Sequence, residues 1–159
     1  MDYVIEFFTN FVLMSAVTGW FVAQILKGLT GVFKLKKFTI TEFLFGTGGM
    51  PSSHTAAVVA VAVSCAIKCG LGSAQFGISC VLAMIVMRDA MGMRRQVGEH
   101  AKALNIIFKE LAEANNDREL TTKALGELVG HTPLQVFAGV IVGAAVPFAL
   151  MFVPAFGMI

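Results

Sequence analysis

The chain has 159 residues, of which 57% are hydrophobic and only 14% charged, with a formal net charge of +2 and a mean hydropathy of +0.79. A soluble domain carries about 25% charge, so this composition excludes an ordinary soluble fold and points to the membrane. With so small a net charge, no nucleic-acid partner is expected.

Nothing reads as a linker or a repeat, so residues 1–159 read as a single domain. The start, Met1-Asp2-Tyr3-Val4-Ile5-Glu6, is acidic and lacks the basic flank of a signal peptide, so the apolar segment behind it is expected to be retained. That segment runs from about Tyr3 to Leu26, long enough to span, since about 20 residues cross the hydrocarbon core. Residues 28–51 hold Lys34, Lys36, Lys37 and Glu42 and read as a polar loop.

A second apolar run covers Thr55 to about Leu71, broken only by Lys68, which can snorkel. A third runs from Ser73 to Met87, extending toward Met93, and a fourth from Leu134 to about Phe156 with Pro147 as an expected kink. Cys65, Cys69 and Cys80 sit in these runs without metal-ligand partners and read as small buried hydrophobes. Between the third and fourth runs, Val97, Ala101, Leu104, Ile107, Phe108 and Leu111 recur at helical spacing in an otherwise polar stretch. This predicts an amphipathic helix on the membrane or against the bundle, broken at Asn115-Asn116-Asp117, with Asp117 capping a further short helix. The fold class expected is an all-α membrane bundle of about four transmembrane helices plus that amphipathic helix.

The loop before the second run carries Gly48-Gly49-Met50-Pro51-Ser52-Ser53-His54-Thr55-Ala56. Proline is tolerated at a helix start, and Ser52 or Ser53 is a good N-cap. Open backbone N–H groups and the helix dipole make such a mouth suited to an anion. The fourth run opens similarly, as Gly130-His131-Thr132-Pro133-Leu134-Gln135. If each run spans once, Lys27, Pro51–His54, Arg88, Arg94, Arg95 and His131 meet at one membrane face. Of the 12 Lys and Arg, only Lys68 belongs to the other side, so the positive-inside rule makes the crowded face cytoplasmic. Two histidines ringed by cations suit phosphoryl chemistry, with one imidazole attacking phosphorus and the other protonating the leaving oxygen. The bland alternative is that both histidines merely cap or anchor at the interface. A metal site would need Asp89, Glu99 and His100 to combine with no recognisable ligand spacing, so no metal and no cofactor is expected.

The Gly48–Ala56 segment, with Arg88-Asp89-Ala90-Met91-Gly92-Met93-Arg94-Arg95-Gln96 and Gly130-His131-Thr132-Pro133-Leu134-Gln135-Val136, closely resembles a divergent branch of membrane proteins. That branch is related to the type 2 phosphatidic acid phosphatases and the vanadium-dependent haloperoxidases, and the likeness runs from Lys27 through Gly143. The resemblance implies a phosphatase-like site. Lys27 matches a phosphate-clamping lysine, and Lys34 stands where the wider superfamily has an arginine. Pro51-Ser52-Ser53-His54 corresponds to Pro-Ser-Gly-His, making Ser52 and the Ser53 backbone phosphate ligands and His54 the general acid. His131 matches the nucleophilic histidine, and Gln135 occupies the place of the aspartate that orients it. Ala124-Leu125 stands where Ser-Arg is expected, and Arg88, Arg94 or Arg95 is the candidate replacement for that arginine.

These features imply a membrane phosphatase acting on a phosphate monoester or diphosphate, lipid-linked or small, through a phosphohistidine. The alternative is a non-catalytic protein that keeps the fold and an anion pocket; a haloperoxidase, usually soluble, ranks third. The expected location is a bacterial inner membrane by default, or an organelle membrane, with membrane lipid as a partner. So small a helix set is compatible with a homodimer.

Overall fold

The structure, a computed structural model, describes residues 2–32, 49–115, 125 and 131–156, apart from the side chains of 2, 31, 32, 93–95 and 115. The first apolar segment forms two helices rather than the single one expected: α1, Asp2–Thr9, and α2, Phe11–Val32. Asn10 separates them. Its side-chain Oδ1 accepts from Leu13 N–H at 3.1 Å, an N-cap that starts α2 afresh, while its own N–H reaches back to Phe7 O at 3.4 Å. At the other end α2 runs on through Gly28 to Val32, so the expected loop begins later than its composition suggests.

Three further helices complete the bundle: α3, Ser53–Cys69; α4, Ala74–Met91; and, after the amphipathic α5, Met93–Asn115, the last helix α6, Pro133–Leu150. Each apolar start carries a side-chain cap. Ser52 accepts from Thr55 N–H, Ser73 from Phe76 N–H, and Thr132 from Gln135 N–H. The final apolar run does not stay helical to Phe156. It passes through buried Pro147, ends at Leu150, and closes in a short 3-10 turn at Pro154–Phe156. The further helix expected after Asp117 falls outside the described residues.

Phe11–Thr30, the stretch beginning at Ala74, and Pro133–Leu150 are long and apolar enough to cross a membrane; Ser53–Cys69 is shorter. At 1.5 Å per residue, α3 reaches only about 25 Å, less than the ~30 Å hydrocarbon core. That shortness fits its place: α3 is the central helix, packed against α2, α4 and α6. Large apolar side chains on the outer helices, such as Phe21, Ile78, Ile85, Phe137 and Ile141, stay exposed, as lipid-facing surfaces require.

Small residues bring the backbones together. A Cβ on Gly19 would lie 3.2 Å from both Ala56 O and Ala60 Cβ. On Gly139 it would meet Ser52 O at 2.6 Å and Thr55 Cβ at 2.9 Å, and on Gly143 it would run into Ala56 O. The Gly139–Gly143 pair is thus a small-xxx-small contact that seats α6 directly on α3. Lys68, in the last turn of α3, sits 5.7 Å over the Phe11 ring, and Phe11 meets Phe156 edge-on at 5.8 Å. This closes the far end of the bundle. The cysteines are all free, but only Cys65 is buried; Cys69 is exposed because it is the last residue of α3, and Cys80 is intermediate.

Candidate functional site

At the end opposite Lys68, three hydrogen bonds tie four helices. Thr30 Oγ1, near the end of α2, donates to Met50 O at 2.5 Å. Ser52 N–H, just before α3, donates to Gln135 O in the first turn of α6 at 3.0 Å. His131 N–H donates to Ala90 O, at the end of α4, at 3.0 Å. The antiparallel order of the helices leads the chain to this end each time, and these bonds lock it there.

His131 is 7% exposed and sits immediately before the Thr132 cap. Its Nδ1 is 3.3 Å from Gln135 Oε1. An amide oxygen only accepts, so this contact assigns the proton to Nδ1 and the basic lone pair to Nε2. The same Oε1 accepts from Thr132 N–H at 2.9 Å, and Gln135 N–H returns a bond to Thr132 Oγ1 at 3.4 Å. This is a capping box, and Thr132-Pro133-Leu134-Gln135 spells it in the sequence. Gln135 therefore does three things: it closes the helix start, orients the His131 ring, and through its carbonyl holds Ser52.

Ser52 is fully buried, and its Oγ accepts from Thr55 N–H at 3.4 Å and from Thr55 Oγ1 at 3.0 Å. In this structure its hydroxyl serves as an interior cap of α3. The groups that α3 presents at its mouth are Ser53 N–H, which has no hydrogen bond to a described residue, and the exposed His54 side chain. The preceding Met50–Pro51 bond is cis, and Pro51 is buried. Gly49 has φ +96°, and a Cβ there would stand 3.1 Å from Lys27 Cγ, so only glycine lets this loop lie along the half-buried Lys27 stem.

Arg88 is exposed in the last turn of α4. Lys34 lies outside the described residues, as do the side chains of Arg94 and Arg95 at the start of α5. The structure thus brings His131, Gln135 and Ser52 together by direct bonds, with Ser53 next to Ser52 at the start of α3, and puts His54, Lys27 and Arg88 on helix turns at the same end. Two participants carry no sequence signal: Ala90, which contributes only a carbonyl, and Asn105, which clamps Leu125. Asn105 Nδ2 donates to Leu125 O at 2.9 Å, and Leu125 N–H donates to Asn105 Oδ1 at 2.8 Å. Beside the Ala90 junction, Met91, Gly92, Gln96, Glu99 and His100 line a hollow of about 440 Å³. Of these five, the sequence offers only Glu99 and His100 as candidates, for a metal site that their spacing does not support.

A family match covers residues 8–146. The chain belongs to the Divergent PAP2 family. It is also 35% identical over 155 residues to the uncharacterized membrane protein YuiD of Bacillus subtilis (strain 168), covering 92% of this chain and 98% of that one. No solved structure matches. Within this Divergent PAP2 protein the glutamine at 135 is built into the helix cap, and Leu125, which stands where the superfamily arginine is expected, is held through its backbone by Asn105.

Proposed function

We propose that this Divergent PAP2 protein is a membrane-embedded phosphatase that hydrolyses a phosphate monoester or diphosphate, lipid-linked in the favoured case. The observation that carries this reading is the pairing at Gln135. Its side chain orients His131 Nδ1 while its backbone carbonyl holds the segment leading to His54. In the proposed reaction the Nε2 lone pair of His131 attacks phosphorus. The bond to the leaving oxygen breaks, that oxygen keeps the electron pair, and a protonated His54 supplies its proton. Water then attacks phosphorus and gives a proton to His54 while the phosphorus–nitrogen bond breaks and its electron pair returns to Nε2, which releases phosphate and restores both histidines. Lys27, the Ser53 N–H and Arg88 are the proposed charge-stabilising groups, with Arg94, Arg95 and Lys34 as further cations. The site faces the cytoplasm in this reading, because the Lys and Arg gather at its end of the bundle.

A second reading is a non-catalytic protein that binds a phosphorylated lipid in the same pocket. The neutral Gln135 and the absence of an arginine at position 125 favour it, because the phosphohistidine pathway gains from a charged partner. Phosphate release from a panel of lipid phosphates and diphosphates by the purified protein, with His131→Ala and His54→Ala alongside, separates the two. Release abolished in both variants, with an acid-labile phosphate trapped on His131, supports the phosphatase. A folded protein that binds vanadate but releases no phosphate supports the binding reading.

A further inference from the structure

Gly92 ends α4 with a non-helical backbone (φ −98°, ψ −88°), and α5 begins at the next residue, at the same end of the bundle as His131. Unlike the spanning helices, α5 carries Glu99, Lys102, Lys109, Glu110 and Glu113 within its length, too many charges for the bilayer core. Projected at 100° per residue, its side chains sort into three adjacent strips. Gly98, Ala101 and Ala112 are buried, with Asn105 and Phe108 partly so, and they form the strip turned toward the protein. Beside it stand Val97, Leu104, Ile107 and Leu111, exposed at 54, 42, 48 and 45%. The remaining arc holds the five charges, including the Lys102–Glu99 pair at 3.2 Å. Two residues break the pattern: Ile106 is exposed among the charges, and His100 is exposed within the apolar strip, between Leu111 and Ile107 in projection.

We propose that α5 is an in-plane membrane helix whose Val97–Leu104–Ile107–Leu111 strip sits in the lipid of the leaflet at the His131 end. Three features select lipid as the occupant. The helix before it, α4, exposes Ile78, Val81, Met84 and Ile85 as a spanning helix does, and it ends only one residue, Gly92, before α5 begins. Its four residues are uncharged, and the charged arc lies on the side away from both protein and lipid. Finally, Asn105, on the strip turned toward the protein, is bonded through its amide to the Leu125 backbone, which holds that strip inward and leaves the apolar strip beside it outward. Such a helix buries its apolar strip about 5–10 Å below the headgroups. The placement does not depend on catalysis at His131.

The test uses the full chain in phosphatidylcholine vesicles, with Leu104→Trp, Leu111→Trp or Glu113→Trp introduced in a Trp20→Phe background. A parallel set keeps Trp20 and subtracts its emission, which guards against a background that fails to fold. Dibrominated lipids report contact with acyl chains, and aqueous iodide reports contact with water. Tryptophans at 104 and 111 are expected to lose about half their emission to shallow bromines and to resist iodide, with the reverse at 113. Quenching of all three by iodide places α5 in water and overturns the proposal. Quenching of all three by lipid means that α5 spans, and shielding of 104 and 111 from both quenchers means that a second copy covers the strip; either result overturns it too.

Discussion

Replacing Gly139 or Gly143 by alanine tests the contact on which the candidate site is built. The added Cβ at 139 would lie 2.6 Å from Ser52 O and 2.9 Å from Thr55 Cβ, and at 143 it would lie 2.9 Å from Val59 Cβ as well as against Ala56 O. Carbon atoms pack best at about 3.5–4.0 Å, so α6 must back away from α3 by several tenths of an ångström or more. Two of the opposing atoms are backbone oxygens, which cannot swing aside as a flexible side chain would. Overpacking of this kind costs about 1–3 kcal/mol, which lowers Tm by about 3–10 °C in a chain of this size. The same retreat stretches the 3.0 Å Ser52–Gln135 bond that aligns the α3 mouth with His131, so vanadate binding weakens together with stability. Gly77→Ala is the matched control: a Cβ there meets nothing within 4 Å, and helix propensity predicts a neutral change or a gain of up to about 1 kcal/mol. Thermal melts in detergent, followed by Trp20 emission, read all three variants. Equal melting temperatures for Gly139→Ala, Gly143→Ala and Gly77→Ala would refute the close-packed α3–α6 seam.

Other positions yield sharper local tests. Gln135→Glu keeps the side-chain length that reaches both His131 Nδ1 and Thr132 N–H while adding the missing charge, so phosphate release rises by about tenfold or more; an unchanged or lower rate counts against the phosphohistidine pathway. Gln135→Ala removes the capping box and destabilises by about 0.5–2 kcal/mol, read in the same melts. Ser15 Oγ is fully buried with no hydrogen-bond partner among the described residues, so Ser15→Ala removes an uncompensated polar group and raises Tm, with a stabilisation of about 1–3 kcal/mol. In Asn105→Ala the Leu125 amide loses its acceptor, and hydrogen exchange at that amide accelerates by about fivefold, the equivalent of one net hydrogen bond of about 1 kcal/mol.

The membrane character, the apolar helices and the helix starts were legible in the residues, because hydropathy and capping are local. Twenty apolar residues must span, and a serine or threonine before an apolar run satisfies the amides behind it. Thr132 and Gln135 announce their own capping box, and the alternation of spans already sends His54 and His131 to one end. Tertiary structure decided the rest. Asn10 in an apolar run can cap or be buried, and only the fold makes it a break between α1 and α2. Ser52 had the chemistry of a phosphate ligand, and only the fold packs α6 over it with its hydroxyl as an interior cap. Ala90 and Asn105 act through a backbone carbonyl and on a backbone segment 20 residues away, contacts that have no motif. Nor could spacing tell that Gln135 bonds His131 and Ser52 at once, since that depends on how closely two helices approach. That distance is decided by Gly139 and Gly143, two missing methyl groups facing a neighbouring backbone.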